Sequence, residues 1–143
     1  MKEDFDNLKL ENQLCFPLYA CSKEIVRRYK PLLDKLDLTY TQYIVMMVMW
    51  EKKNMNVKTL GETLFLDSGT LTPVLKKLEE KGFITRTRMK EDERNLLISI
   101  TDKGSKLKKD AKDIPTEIGK CVNLTQEEAM NLYKTLYKIL GSL

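Results

Sequence analysis

Apolar residues recur at helical spacing along nearly the whole chain, and one stretch departs from this spacing. Over residues 83–100, apolar and polar residues alternate on both sides of a charged segment at 90–93. Alternation with a period of two is typical of strands, and two such runs around a turn indicate a β-hairpin. The pattern therefore predicts a mainly α-helical protein that carries one small β-hairpin.

Two short helices are predicted directly before the hairpin. Asn56 caps the first, a break at residues 65–67 separates the two, and Gly82 ends the second. Each helix has one apolar face, formed by Val57, Leu60 and Leu64 in the first and by Leu71, Leu75 and Leu78 in the second. Two short helices joined tightly form a helix-turn-helix. With the hairpin behind it, this unit is a winged helix, which we place at residues 40–101.

Longer helices are predicted before this pair. The first spans residues 13–35 and either begins just before Pro17 or is kinked there, because proline disturbs a helix least in its first turn. The second spans residues 40–52 behind a capping box of Thr39 and Gln42. It is apolar nearly all round, so it is expected to be buried. The members of its methionine cluster, also expected in the core, are Met46, Met47 and Met49.

Two further helices are predicted after the hairpin. Thr101 starts a lysine-rich helix that Pro115 ends or bends, and a second capping box, at Thr125, starts the last helix. The terminal helices, at residues 13–35 and 102–141, carry more apolar surface than so small a central module can cover. We therefore expect two copies of the chain to form a homodimer through these helices.

Composition and charge are those of an ordinary protein of one domain. With 143 residues, of which 42% are hydrophobic, the chain is long enough for a single core. Its longest apolar run, residues 43–50, is much shorter than the about twenty residues that cross a bilayer, and its polar start lacks the features of a secretion signal. We therefore expect a cytoplasmic protein with no membrane partner. The net charge of +4 permits binding to nucleic acid without establishing it.

The chain contains no histidine and three cysteines, at positions 15, 21 and 121. Without imidazole or closely paired cysteines a zinc site is not expected, and no cofactor is implied. The commonest general base is also missing, which argues against a hydrolytic enzyme. Cys21 is expected to serve in packing.

The second helix of the helix-turn-helix has a polar face opposite its leucines. This face contains Gly69, Thr70, Pro73, Lys76 and Lys77, with Thr72 at its margin and Ser68 at the helix start. Small and hydroxyl-bearing residues at the front suit close approach to base edges, and the two lysines suit phosphates, whereas Glu79 and Glu80 further on would repel them. The face is therefore a candidate for reading the major groove of double-stranded operator DNA. The alternative is that it is only the solvated side of a packed helix.

Arginines bracket the acidic tip of the hairpin. Arg86 and Arg88 precede the tip, Arg94 follows it, and Asp92 stands two positions before Arg94. Arginine on a protruding wing suits the narrow minor groove, and a neighbouring carboxylate can fix its direction through a charge-assisted hydrogen bond. We therefore predict that these four residues serve DNA binding. An ordinary surface ion pair is the alternative.

The order of elements resembles the MarR family of bacterial regulators over essentially the whole chain. Several stretches narrow the resemblance to the organic hydroperoxide resistance (OhrR) group of that family. They are NQLCF at 12–16, LYA at 18–20, YKPLL at 29–33, LTYTQY at 38–43, LDSGTLTP at 66–73 and DER at 92–94. The resemblance implies a homodimeric repressor that leaves its operator when an organic hydroperoxide oxidises the amino-terminal cysteine, Cys15. It also implies hydrogen bonds to this cysteine from Tyr19, Tyr29 and Tyr40, with partners drawn from both subunits.

The chemistry of a thiol sensor favours the same cysteine. A thiolate is the species that attacks a peroxide, and without histidine it depends on hydrogen-bond donors or on the positive end of a helix. Tyr19 lies four positions after Cys15, so a helix would bring the two together, and Pro17 favours a helix start there. The alternative is a buried cysteine that does not react.

The resemblance also implies a fate for the oxidised sulfur. The OhrR group includes members with a second cysteine near the last helix, and Cys121 resembles that residue. Sulfenic acid condenses readily with a second thiol. Our hypothesis is a disulfide between Cys15 of one subunit and Cys121 of the other. A mixed disulfide with a low-molecular-weight thiol is the alternative.

Two rival functions stay open from the sequence. One is a MarR-type regulator that responds to a small phenolic ligand while Cys15 is inert. The other is a thiol peroxidase, which is disfavoured because the chain has no Cys-x-x-Cys pair and no strand–helix alternation of a thioredoxin-like fold.

Overall fold

Helices make up most of the chain and a small antiparallel sheet completes it, which confirms the predicted fold class. The computed structural model describes residues 3–89 and 92–143, except for the side chains of residues 92–95. After two short 3-10 helices at Asp6–Leu8 and Leu10–Asn12, the elements are α1 (Cys15–Asp34), α2 (Tyr40–Lys52), β1 (Asn54–Asn56), α3 (Val57–Leu64), α4 (Ser68–Glu80), β2 (Ile84–Met89), β3 (Asp92–Ile100), α5 (Asp102–Ala111), α6 (Ile114–Gly119) and α7 (Gln126–Ser142). The helix-turn-helix is α3 and α4, and the wing is β2 and β3.

Side-chain caps start four of the helices where the sequence predicts, among them α5, where Thr101 Oγ1 accepts from Gly104 N at 3.0 Å. At α2, Thr39 Oγ1 accepts a hydrogen bond from Gln42 N at 3.2 Å, and Gln42 Oε1 accepts one from Thr39 N at 3.0 Å. Asn56 caps α3 and Thr125 caps α7, each through a side-chain oxygen. Because these caps involve only neighbours in the sequence, they specify the helix starts without any tertiary contact.

Two prolines lie in the first turns of helices. α1 begins at Cys15, so Pro17 falls in its first turn, as in the first of the two predicted alternatives. The prediction that Pro115 ends or bends the lysine-rich helix is wrong, because α5 already ends at Ala111 and Pro115 belongs to the start of α6. A proline at a helix start sacrifices no hydrogen bond, since the first N–H groups of a helix lack an intrahelical partner.

The sheet contains one strand more than the hairpin that the sequence predicts. The strand order is β1-β3-β2, and β1 pairs with β3 in antiparallel fashion. Three residues are too few to show alternation, so β1 leaves no signal in the sequence. β3 begins at Asp92, so residues 92 and 93 of the predicted charged turn at 90–93 belong to the strand. Residues 90 and 91 themselves lie outside the described part of the chain.

The core packs α2, α3 and α4 against the sheet. Its fully buried side chains include Met46, Met49, Leu60, Leu71, Leu75, Leu78, Ile84 and Ile98. Trp50 extends the core to α5, where its Nε1 donates to the carbonyl oxygen of Gly104 at 2.9 Å. The prediction that Met47 shares the core is wrong, since it is 44% exposed. The buried face of α2 contains Gln42, Tyr43, Val45, Met46, Met49 and Trp50, and Met47 points away from it.

The helices at both ends of the chain find little of their own chain to pack against. Leu33 is the buried residue of α1, and α7, although described throughout, buries none of its residues. Cys21 is exposed in the single chain, and its predicted packing role stays a prediction. Apolar helix faces left open in this way are what a homodimer would cover.

Candidate nucleic-acid interface and thiol site

The front of α4 presents the polar face that the sequence predicts. Asp67 caps the helix, its Oδ1 accepting from Thr70 N at 2.7 Å, and this bond lowers the pKa of the Asp67 carboxyl. Leu71 anchors the opposite side in the core. The exposed residues of α4 include every predicted contact on this helix: Ser68, Gly69, Thr70, Thr72, Pro73, Lys76 and Lys77. The structure thus brings them together on one solvent face, and their contact with DNA stays a prediction.

The arginines of the wing differ in their surroundings. Arg86 Nε and Nη2 donate to Glu79 Oε1 of α4 at 3.3 and 3.1 Å, and Arg86 N donates to Glu79 Oε2 at 3.1 Å. The side chain of Arg86 is only 24% exposed as a result. Arg88 is exposed. The side chains of Asp92 and Arg94 lie outside the described residues, and so does the predicted carboxylate–arginine pair.

Glu79 therefore holds the wing against α4, the candidate recognition helix, through Arg86. The predicted contact of Arg86 with DNA stays a prediction. The side-chain hydrogen bonds from Arg86 lower the pKa of the Glu79 carboxyl. A carboxyl with a lowered pKa contributes its stabilisation at neutral pH and loses it as the pH falls through that lowered value. The expectation that Glu79 would only repel phosphate did not include this partner. We expect the brace to hold at neutral pH.

Three tyrosines cluster where α1 meets α2. The ring centroid of Tyr40 lies 4.9 Å from that of Tyr29 and 6.2 Å from that of Tyr43. Burial, helped by the charges that Tyr40 and Tyr43 would carry, raises the pKa of Tyr29 to about 12. Burial also raises the pKa of Tyr40 and of Tyr43. At neutral pH the phenols keep their protons and can donate hydrogen bonds to an anion. Tyr43, which the sequence prediction places only in the buried helix, belongs to this cluster.

Cys15 is the first residue of α1 and is exposed. No side chain caps this helix start, and Cys15 stands at the positive end of the helix dipole. Tyr19, one turn further on, is 63% exposed. Between the Cys15 sulfur and a tyrosine hydroxyl, the described residues contain no hydrogen bond.

Within one chain, Cys15 is far from the tyrosine cluster. Tyr29 follows Cys15 by 14 positions on the same helix, which corresponds to about 21 Å. The structure therefore does not bring Cys15 to Tyr29 or Tyr40 of its own subunit. Only a second copy of the chain could supply the two tyrosines, as the resemblance implies.

Cys121 lies just beyond α6, and its sulfur is 3.7 Å from the carbonyl oxygen of Glu117. It lines a cleft of about 200 Å³ together with Ile25 and Arg28, which are in the middle of α1. Ile25 stands ten positions after Cys15, about 15 Å along the helix, whereas a disulfide needs Cα atoms within about 7 Å. All three cysteines are free. A Cys15–Cys121 bridge would have to join two subunits.

The part of the chain that the structure describes contains neither a cluster of metal ligands nor a membrane-spanning helix. Neither residues 3–89 nor 92–143 hold a group of three potential metal ligands from histidine, cysteine, aspartate and glutamate. In the same residues, every helix is too short or too polar to cross a membrane.

Sequence reasoning missed the partners of two charged residues of the recognition helix. Glu79 binds Arg86 seven positions away, and Lys81, which ends the helix, binds Gln42 at a separation of 39 positions. Neither pair has helical spacing, and each forms only because the fold brings separate elements together. No motif in the sequence could have identified them.

Comparison with known proteins gives matches over most or all of the chain. A family model described as transcriptional regulator SarA/Rot matches residues 27–111. The chain is 51% identical over all of its 143 residues to the organic hydroperoxide resistance transcriptional regulator of Bacillus subtilis strain 168, covering 97% of that protein.

Solved structures give similar matches. The chain is 32% identical to AbfR of Staphylococcus epidermidis, and with its reduced form bound to DNA the TM-score is 0.78, covering 96% of each chain. With the disulfide form of AbfR the TM-score is 0.66, covering 94% of this chain and 95% of that one. A point mutant of MarR from Escherichia coli, complexed with operator DNA, is 26% identical with a TM-score of 0.78, covering 96% of this chain and 99% of that one.

Proposed function

Because the chain belongs to the MarR family of transcriptional regulators, in the group of the organic hydroperoxide resistance regulator, we propose that it is a homodimeric, redox-sensing repressor. It binds pseudo-palindromic operator DNA and releases it when Cys15 is oxidised by an organic hydroperoxide. The observation that carries this proposal is the place of Cys15: exposed, at the positive end of α1, and outside an intact winged helix. Operator DNA lies in the cytoplasm, so the function requires a cytoplasmic protein.

The proposed reaction at Cys15 has two steps. The thiolate attacks the terminal oxygen of the hydroperoxide, an S–O bond forms as the O–O bond breaks, and the alkoxide leaves and takes up a proton to become an alcohol. The resulting sulfenic acid condenses with the thiol of Cys121 in the other subunit, forming an S–S bond and releasing water. A thiol reductant reverses the bridge by exchange.

The tyrosine cluster of one subunit can donate hydrogen bonds to the Cys15 thiolate of the other. Tyr29 and Tyr40 have raised pKa values, so they stay neutral and can donate hydrogen bonds to a thiolate at neutral pH. Tyr19 can donate from the same helix as Cys15. Oxidation consumes the thiolate, so these hydrogen bonds must change. The tyrosines therefore connect the state of the sulfur to the turn between α1 and α2.

DNA release follows from the geometry of a dimer that carries two recognition helices. Two recognition helices must enter successive major grooves about 34 Å apart, so a small rotation between subunits removes contacts on both sides. The chain is more similar to the reduced, DNA-bound form of AbfR than to its disulfide form. This supports the view that the structure has the DNA-binding shape and that a bridge would change it.

The proposal is tested by a binding titration at fixed salt. The reduced protein first selects a pseudo-palindromic duplex from random-sequence DNA, and its Kd for that duplex is measured before and after stoichiometric organic hydroperoxide and again after dithiothreitol. We expect oxidation to raise Kd by about 5- to 150-fold, the usual range of coupling between two sites, and dithiothreitol to restore it. An unchanged Kd after complete thiol oxidation contradicts the proposal. Release by a small phenol instead would favour the ligand-responsive regulator.

Non-reducing gel electrophoresis of the same samples separates the two oxidised forms. A dimer band that needs both Cys15 and Cys121 supports the bridge between subunits. A monomer band carrying a low-molecular-weight thiol on Cys15 rejects the bridge and leaves the redox response intact.

The brace between wing and recognition helix gives a second prediction. We expect Arg86→Met to weaken operator binding by about fivefold, the effect of about 1 kcal/mol, because the wing loses its support on Glu79. The dependence of log K on log salt should stay as in the parent, since Arg86 is not expected to neutralise a phosphate. Arg88→Met is the matched control, and it should reduce that slope by about one. An equal loss of slope in both variants would show that Arg86 is itself a DNA contact.

A further inference from the structure

Lys81, the residue directly after α4, connects the recognition helix to the turn between α1 and α2. Its Nζ donates to the backbone carbonyl oxygen of Asp37 and, at 3.0 Å, to Oε1 of Gln42. Asp37 Oδ1 lies 3.6 Å from the same nitrogen. The side chain of Lys81 is 24% exposed. Lysine is ordinarily a solvated side chain with much rotamer freedom, so one held in this way has a fixed structural partner.

The turn between α1 and α2 is organised around Oε1 of Gln42, the oxygen that also accepts from Lys81. Gln42 is only 3% exposed, and its Oε1 also accepts from Thr39 N at 3.0 Å in the capping box of α2. Asp37 adopts a left-handed backbone with φ of 55°, a conformation in which aspartate is among the few enriched residues other than glycine. Tyr40 follows Thr39 directly and is the first residue of α2. The ammonium of Lys81 therefore bonds to the cap of the helix that begins with Tyr40, whose ring packs on Tyr29 of α1.

The opposite end of α4 is the face assigned to DNA. The helix Ser68–Glu80 has 13 residues, about 20 Å of rigid rod. A displacement of its carboxyl end therefore moves its amino end as well. If the turn shifts, we expect Lys81 to follow, because separating them costs the buried Gln42 oxygen one of its two donors.

We propose that Lys81 couples the tyrosines at the α1–α2 turn to the recognition helix, so that rearrangement around Tyr40 on oxidation of Cys15 reaches the DNA-reading end of α4. This coupling rests on the proposed function and specifies its route. Lys81 is a positioning residue and does not contact DNA or peroxide. Contact alone is not evidence of coupling, so the test measures the coupling itself.

The test compares Lys81→Met with the matched control Lys103→Met in the full chain. Lys103 Nζ donates to the carbonyl oxygen of Lys81 at 2.8 Å and lies over the Phe83 ring. Both variants thus lose one positive charge at the same end of α4, and only the first loses its bonds to Asp37 and Gln42. The Kd for the selected duplex is measured for each variant, reduced and oxidised, with equal thiol oxidation verified by mass spectrometry.

We expect the oxidised-to-reduced ratio of Kd to fall by about fivefold or more in Lys81→Met, the lower bound of typical coupling, and to stay at the wild-type value in Lys103→Met. Equal ratios in two folded variants overturn the coupling and leave the redox response standing. A wild-type ratio of one overturns the proposed function and the coupling together.

A measurement on the wild type keeps the coupling testable if Lys81→Met does not fold. Hydrogen exchange should lose protection on oxidation at residues 35–42 and 77–83 together. Loss of protection at 35–42 with none at 77–83 overturns the proposed route.

Discussion

A Gly104→Ala variant is expected to lose about 3 kcal/mol or more of folding stability, from overpacking together with a broken buried hydrogen bond. A Cβ on Gly104 would collide with the carbonyl oxygen of Phe83 and lie 3.0 Å from Cγ1 of Ile100. The backbone of Phe83 would have to move, and it is itself held by the bond from Thr101 N at 3.1 Å. The Gly104 carbonyl oxygen would then leave the Trp50 indole, whose N–H is buried.

Urea unfolding at one fixed protein concentration measures this effect, because the apparent stability of a dimer depends on concentration. Gly119→Ala is the matched control, since a Cβ on Gly119 meets no atom of the described residues within 4 Å. That substitution should be neutral or stabilising, by up to about 1 kcal/mol. A Gly104→Ala protein with the midpoint of the parent would show that α5 can move away from the wing without loss.

Features with local causes could be predicted from the sequence. The capping boxes at Thr39 and Thr125 need only neighbours three positions away, and both occur as expected. The alternation on both sides of the wing tip predicts the hairpin, because the period of two is a property of the strand itself. The polar face of the recognition helix is correctly assigned to solvent, since the leucines at 71, 75 and 78 fix the orientation.

Features that depend on distant partners could not be predicted. Arg86 has the sequence signature of a minor-groove contact, and only the packing of β2 beside α4 shows that it binds Glu79. Lys81 stands in the sequence only as part of a helix stop, although its ammonium reaches the α1–α2 turn. Gly104 is not part of a turn motif in the sequence. A side chain is excluded at this position because the backbone of Phe83 approaches it closely. In each case the constraint belongs to the tertiary structure.

The thiol site falls between these two cases. The position of Cys15 at a helix start follows from Pro17, which is a local signal. The nearness of Tyr29 and Tyr40 to each other is a property of the packing of α1 on α2, and before the structure only a family resemblance connects them. Their approach to a cysteine depends on a second subunit, because α1 holds Cys15 and Tyr29 at a fixed separation along its length.

A Cys15→Ser variant is expected to bind the selected duplex with the affinity of the reduced parent, to within about twofold, and to ignore organic hydroperoxide entirely. Serine is nearly isosteric with cysteine, so the exposed start of α1 should keep its structure. A hydroxyl without a general base is not a nucleophile at neutral pH, and the chain offers no histidine to activate it. The rise of about 5- to 150-fold in Kd that oxidation causes in the parent should therefore vanish.

Cys21→Ser is the matched control, because Cys21 is exposed on the same helix six positions further on. It should keep the full response, which would separate the chemistry of Cys15 from a general effect of losing a thiol. Cys121→Ser should still be oxidised at Cys15 but form no bridge between subunits, so its Kd after peroxide measures how much of the release the disulfide supplies. If Cys15→Ser releases DNA on peroxide treatment as the parent does, the sensing group lies elsewhere, and the assignment of Cys15 is wrong.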